Sequence, residues 1–448
     1  MKTALRRLRH SKSAVAALGF VFFFGSITSA GAEDIGQVTF TQLQTLGDGA
    51  LTVGPVDGED TIADAAFQRP DLDALINDSD VNGGGSGAPP AAVLTVPSVR
   101  NTPIALVNPG FSGFDALDHR DQRFAGTGAF TNTQFSLEPP DQGLCVGNGF
   151  VMEVINTALA VYRPDGTLVA GPTALNQFFG LAPEIIRSTP LVFGDFTSDP
   201  RCYFDAQTNR FFVTLLQLDV NPRTGNFSGP THQLLAVSKS GDPTAGFNLF
   251  ALETTGDGAN CPCFGDQPLL GADANGFYIS GNGFSLVDGR FKGAQIYGIS
   301  KAFLAAGAIP PFVLHINLPR SSADGGLNRS VHPSIRVRGE EFSDFGTEYF
   351  LSSFSQSNAL ENQVVAWALS NTVELNFPPG PGTTFRFQRE PTKSETFGAP
   401  PDALQKIGTL PLGSAVNPTV RPSLATNAQN MQQSPSLTVD CGARPPRC

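Results

Sequence analysis

Four polar residues, Asp141, Asp199, Asp266 and His332, stand beside or near a proline and just ahead of runs of β-forming residues, in the phrases PPDQG, SDPR, GDQP and VHPS. They lie 58, 67 and 66 residues apart. Carboxylates at so regular an interval converge if each heads an equivalent element of a rotationally repeated fold. Converging carboxylates can hold a hard cation such as calcium, or serve as acid and nucleophile on a glycoside. Asp also accepts backbone N–H groups at tight strand entries, so a local structural role, a ligand or ion site and a catalytic site are all open to these four residues.

The remaining candidate chemistry is sparser. NDSDVNGGG at 77–85 places Asp78, Asp80 and Asn82 with the spacing of the first half of a calcium loop, but the position where a bidentate Glu would close it is Pro89. Six cysteines occur, Cys145, Cys202, Cys261, Cys263, Cys441 and Cys448. Cys145 and Cys202 occupy nearly equivalent places in successive repeats, so a disulfide between neighbouring repeats is the preferred pairing. Cys261 and Cys263, just before the next repeat, complete an even set of four outside the tail, which allows three connectivities. A C-x-C pair with no second close pair or nearby His is a weak zinc signal. There is no G-x-S-x-G elbow, no H-E-x-x-H and no phosphate loop, and the five His do not cluster. His315 alternates with Leu314 and Ile316 on a strand pattern, which fits a packed or edge histidine.

The elements that would position the four head residues repeat with them. Second strands read FVMEVIN (150–156), RFFVTLL (210–216), GFYISGN (276–282) and EYFLSSF (348–354). Third strands read TALAVYR (157–163), QLLAVSK (233–239), QIYGISK (295–301) and QVVAWAL (363–369). Outer strands follow in the last three, at 247–254, 311–319 and 383–390. Repeats of this length with about four strands each predict an all-β fold, a β-propeller of four-stranded blades. A pair of β-sandwiches is the competing architecture. Proline suits the blade entry because a strand's first residue need not donate to the ladder.

On the phrases PPDQGLCVGNGFVMEVIN (139–156), SDPRCYFDAQTNRFFVT (198–214), CPCFGDQPLLGADANGFYISGN (261–282) and LATNAQNMQQ (424–433), the chain resembles a family of secreted bacterial β-propeller proteins of undefined function, loosely akin to sialidase-like propellers. The resemblance covers residues 108–433 and implies fold and export, with no catalytic assignment. The S-x-D-x-G-x-T-W box of true sialidases is absent. Family members continue past the 424–433 phrase into another strand pair, whereas this chain runs into SPSLTVDCGARPPRC, which has no strand pattern. Read one register over from G/C-rich codons, the start of that tail gives AFVDGRLWG, a hairpin sequence. The expectation is therefore a reading-frame slip near Gln433 and an incomplete, truncated propeller, with residues 434–448 an irregular tail.

Composition bounds the rest. Residues 1–32 combine a basic start, an apolar run from Ala14 to about Ile27 and small residues Ala30-Gly31-Ala32, the pattern of a cleaved signal peptide and too short an apolar run to span a bilayer. The mature chain is expected to be secreted or periplasmic, with no membrane span. A net charge of -11 argues against nucleic acid as a partner. Residues 33–92 are acidic, poor in aromatics and end in NGGGSGAPP, and are expected to be a weakly ordered extension and linker ahead of a propeller at 93–433. The functional expectation is a binding or interaction module for an unknown extracellular glycan or protein. The alternative is a glycosidase or lyase working in the central channel. No cofactor is expected beyond calcium at the carboxylates.

Overall fold

The computed structural model describes residues 37–53, 113–135, 137, 141–258, 260–318, 328–335, 346–354 and 361–397, with the short pairs 403–404 and 423–424. The signal-peptide segment, the 54–92 part of the extension and the tail with its proposed frame slip lie outside them. Two strands, β1 (Gln37–Thr41) and β2 (Gln44–Gly49), come first. Four antiparallel meanders follow. The first is β3 (Gly143–Gly147), β4 (Phe150–Ile155), β5 (Ala158–Tyr162) and β6 (Leu168–Ala174). A short pair, β7 (Ile185–Ile186) and β8 (Val192–Phe193), leads to the second: β9 (Phe196–Asp205), β10 (Arg210–Val220), β11 (Phe227–Ser238) and β12 (Phe247–Glu253). The third is β13 (Cys263–Ala272), β14 (Gly276–Ser285), β15 (Phe291–Ser300) and β16 (Val313–Leu318). The fourth is β17 (His332–Pro333), β18 (Thr347–Ser353), β19 (Glu361–Ser370) and β20 (Arg386–Phe397), and a two-residue pair, β21 (Ala403–Leu404) with β22 (Ser423–Leu424), ends the described chain. The protein is a β-propeller of four-stranded blades, and the sandwich alternative falls away because each meander is a separate sheet packed on the next.

The core lies between blades. Side chains alternate faces along a strand, so Phe211 enters the layer between the first and second blades while Phe212 enters the layer between the second and third. Phe277 meets Phe212 there, the rings stacked at 4.7 Å and 18°, and its neighbour Tyr278 turns the other way to join Phe350 and Trp367 between the third and fourth blades. Blades buried on both faces need near-continuous apolar runs, which is where much of the chain's unusual number of Phe is used. Toward the axis the inner strands crowd. A Cβ on Gly143 would sit 2.9 Å from the Cα of Arg201, and one on Gly271 would sit 2.4 Å from the Ser334 carbonyl oxygen, so only glycine allows those strands to meet.

Covalent and ionic ties cross the same layers. Cys145 on β3 and Cys202 on β9 form the disulfide between neighbouring blades that the repeat spacing suggested, with Cα atoms 5.4 Å apart. Cys261 and Cys263 pair with each other. The second Asp of each repeated phrase caps a hairpin: Asp205 Oδ2 accepts from Thr208 N at 2.7 Å, and Asp273 Oδ1 from Asn275 N at 2.8 Å. Buried Lys301 joins the two hairpins, donating to Asp205 Oδ1 at 3.0 Å and to the Asp273 carbonyl. Burial pushes the Lys301 pKa down, and the adjacent carboxylates oppose that shift.

The N-terminal expectation needs correction. Residues 37–53 are not a weakly ordered extension but a strap along the outer rim. β1 pairs with β16 of the third blade over five residue pairs, and β2 pairs with β12 of the second. Thr52 then reaches the first blade, accepting from Gly171 N at 2.7 Å. Low apolar content misled the sequence reading, because an outermost strand needs only its backbone groups and a few side chains such as buried Leu43 and Phe40, whose ring lies 4.9 Å from Phe312. On the fourth blade the outer strand β20 carries Arg386, Arg389, Glu390, Pro391 and Lys393, residues that discourage edge pairing. Deleting residues 33–53 should therefore lower the melting temperature and promote aggregation by baring the β12 and β16 edges, as thermal unfolding and light scattering would record.

Candidate functional site at the inner strands

Near the start of each inner strand one residue adopts left-handed backbone geometry: Asp141 (φ 47°), Asp199 (φ 56°), Gln267 (φ 48°) and Ser330 (φ 45°). A non-glycine residue there costs about 1–2 kcal/mol, so its recurrence needs a compensating contact. In the second and third blades it lies in a bulge, where the register of β9 and β13 shifts by one residue. The bulge turns an N–H out of its own sheet toward the preceding blade. Asp199 N donates to Asn156 Oδ1 at 2.8 Å, Ser330 N to Asn282 Oδ1 at 2.8 Å, and Gln267 N to Asp199 Oδ2 at 3.1 Å. Asn156 and Asn282 close the second-strand phrases FVMEVIN and GFYISGN. The corresponding residue of the second blade is Leu216, opposite Ser198 as Asn282 is opposite Asp266. Leu216 has no acceptor, and Asp199 supplies one instead.

This geometry revises the repeat. The rotational equivalents of Asp141 and Asp199 are Gln267 and Ser330, one residue after Asp266 and two before His332. Buried Asp266 lies opposite Asn282, and half-buried His332 lies opposite Leu351. Of the four residues expected to form a ring, Asp141 and Asp199 occupy this left-handed position, and Asp266 and His332 stand beside it. Among the described residues no group of three or more His, Cys, Asp or Glu side chains could hold a metal ion. Asp78, Asp80 and Asn82 lie outside the described residues.

The pair is electrostatically unusual. Asn156 Nδ2 donates to Asp141 Oδ2 at 2.7 Å while Asn156 Oδ1 holds the Asp199 amide, so one amide side chain clamps both residues. Ser198 Oγ lies 3.2 Å from Asp199 Oδ1. Burial, then the Asp199 charge, push the Asp141 pKa up to about 7, with Asn156 and Arg201 pulling the other way and a hydrogen bond between the two carboxyl groups reinforcing the rise. Two carboxylates in such contact cannot both ionise freely. Asp199 already accepts from Ser198 and Gln267. Asp141, Arg201 and Gln267 are half-buried, so solvent reaches the cluster. Nearby Glu153 is occupied structurally, accepting from Leu117 N at 2.8 Å and from the Gln142 amide.

Asn156, Arg201 and Gln267 were not singled out from the sequence. The Asn that ends two of the four second strands is the signal that could have identified the first.

No family model and no curated protein matches the chain. Solved structures similar to part of it include an exo-β-1,3-galactanase from Phanerochaete chrysosporium, at 9% identity and TM-score 0.27, covering 59% of this chain and 52% of that one. An exo-β-1,3-galactanase from Clostridium thermocellum aligns at 11% identity and TM-score 0.29, covering 56% and 49%. A glycosyl hydrolase from Bacteroides ovatus aligns at 12% identity and TM-score 0.26, covering 67% and 84%. The chain spans about half the length of the two galactanases. At these scores none of them assigns a role to a residue of this chain. No helix among the described residues is long and apolar enough to cross a membrane.

An acid whose pKa rises on folding stabilises the fold fully below its unfolded value, near 3.9 for Asp, and loses that contribution as pH rises through the folded value. With a folded value of about 7, Asp141 should erode stability by on the order of 2–4 kcal/mol between about pH 4 and pH 8. Asp141→Asn should remove that part of the pH dependence, seen by urea unfolding at pH 5 and pH 8.

Proposed function

We propose that the chain is an exported β-propeller that binds a glycan at the axial cluster of Asp141, Asn156, Asp199, Arg201 and Gln267. The observation that carries this reading is the Asn156 amide clamping Asp141 and Asp199 together, with the Arg201 guanidinium nearby and Asp141, Arg201 and Gln267 half-buried. Recognition of sugar hydroxyls needs acceptors and donors in fixed relative positions, and the cluster offers a carboxylate, a protonated carboxyl, an amide and Arg201 within one preorganised network. Export agrees with the two disulfides among the described residues, which belong to an oxidising compartment.

Binding and hydrolysis make different demands on such a pair. Retaining glycosidases place their carboxyl groups about 5–5.5 Å apart and inverting ones about 6.5–9.5 Å apart. At Asp141 and Asp199 one carboxyl group raises the pKa of the other, and both are tied into the clamp of Asn156 and Ser198, an arrangement suited to holding hydroxyl groups.

A glycan array probed with the full chain, followed by calorimetry on its hits, tests the reading. Arg201→Ala should weaken a hit roughly tenfold or more, the cost of one charged hydrogen bond, without releasing reducing ends in either protein. An empty array, or hits indifferent to both Arg201→Ala and Asp141→Asn, would overturn it.

A further inference from the structure

The strap covers one titratable ring. His315 on β16 lies directly opposite Thr39 of β1 and is 7% exposed. Its Nε2 is 2.7 Å from Gln295 Oε1, and Gln295 Nε2 in turn donates to Asn317 Oδ1 at 3.0 Å. An amide oxygen only accepts, so Nε2 carries a proton, and in the neutral ring Nδ1 accepts from the Thr39 hydroxyl at 3.1 Å. Tyr297 stacks on the ring, centroids 5.1 Å apart at 17°. The charged group facing the ring is Asp257, 3.7 Å from Nδ1, and the other Asp257 oxygen accepts from the Tyr297 hydroxyl at 2.8 Å. Tyr297 is the other titratable neighbour, and burial pushes its pKa well up, so it stays neutral.

We propose that β1, residues 37–41, is an acid-released edge strand, held on the third blade while His315 is neutral and freed as the ring takes a proton. Docking β1 strips water from the imidazole, which disfavours its charged form, and linkage makes the effect reciprocal: a proton on the ring disfavours docking. Burial does hold the His315 pKa below its ordinary value, with Asp257 only partly opposing. For a base whose pKa is depressed by docking, the contribution is complete above the free-ring value, about 6.5, and is lost as pH falls through it. Asp257 cannot fully replace lost hydration, since at 3.7 Å it lies beyond hydrogen-bond reach and one of its oxygens is committed to Tyr297. Besides its five residue pairs, the segment is held here by the edge contact of Phe40, itself 47% exposed, by the Gln42 amide on the Pro311 carbonyl and by buried Leu43 just past its end, so release concerns β1 and not the chain beyond Leu43.

Amide hydrogen exchange in the full chain tests this, with protection in β1 corrected for intrinsic rate and referred to β19, from pH 8 to pH 5. Protection of β1 should fall below the ordinary histidine range by at most about tenfold per pH unit, while β19 stays protected. His315→Gln, which keeps hydrogen-bonding groups toward Thr39 and Gln295, should make β1 protection independent of pH. Acid loss that persists in His315→Gln, or wild-type protection unchanged at pH 5, would overturn the proposal. Should that variant fail to fold, the wild-type ring can be titrated by NMR. Its midpoint must coincide with that of β1 release, and separate midpoints would equally overturn the proposal.

Discussion

The inner strands of the second, third and fourth blades each place one backbone N–H where their own sheet does not use it, and the preceding blade accepts it. The left-handed residue at the head of the strand, Asp199, Gln267 or Ser330, turns its amide across the blade boundary to an oxygen of Asn156, Asp199 or Asn282. A buried amide without a partner costs about 1–3 kcal/mol, so the bulge and the acceptor have to occur together. The close approach that makes the contact feasible is the same one that demands Gly143 and Gly271 nearby. Blade spacing, inner-strand geometry and the polar lining of the axis thus have one origin.

The candidate site follows from an exception to this rule. Where the second blade has Leu216 in place of the Asn, Asp199 must serve as acceptor for the next blade while standing beside Asp141. Its oxygens are therefore engaged by Ser198 and Gln267, and burial together with the neighbouring Asp199 charge raises the Asp141 pKa to about 7. A structural demand in one blade generates the unusual charge state in its neighbour. The same carboxyl pair that looked like a cation ring or a glycosidase pair in the sequence is, in the fold, part of the tie between three blades with one solvent-facing side.

The blades were legible because near-continuous apolar runs buried on both faces leave a strong signal: the phrases ending in Asn156 and Asn282, and the third strands read at 233–239 and 295–301, fall on β4, β14, β11 and β15. The disulfide between Cys145 and Cys202 followed from equivalent repeat positions. Asp266 and His332 were misplaced by one and two residues, because the position is defined by backbone conformation and an outward N–H, to which Asp, Gln and Ser contribute equally well. The strap at 37–53 was invisible for a related reason. An added outer strand is bound chiefly through its backbone, which carries no residue preference that composition can display. His315 was read as a packed or edge histidine, and it is both, covered by a strand the sequence did not announce.

Central to this account is the claim that side chains of one blade hold the head amide of the next. Hydrogen exchange at the single amide of Asp199, in the wild type and in Asn156→Leu, which copies the Leu216 of the second blade, tests it most directly. The account predicts exchange only through global unfolding in the wild type, and a selective gain of fast local exchange at Asp199 in the variant while Gln267 and Ser330 keep their protection. Fast exchange at Asp199 in the wild type, or an Asp199 amide equally protected in both proteins, would contradict it.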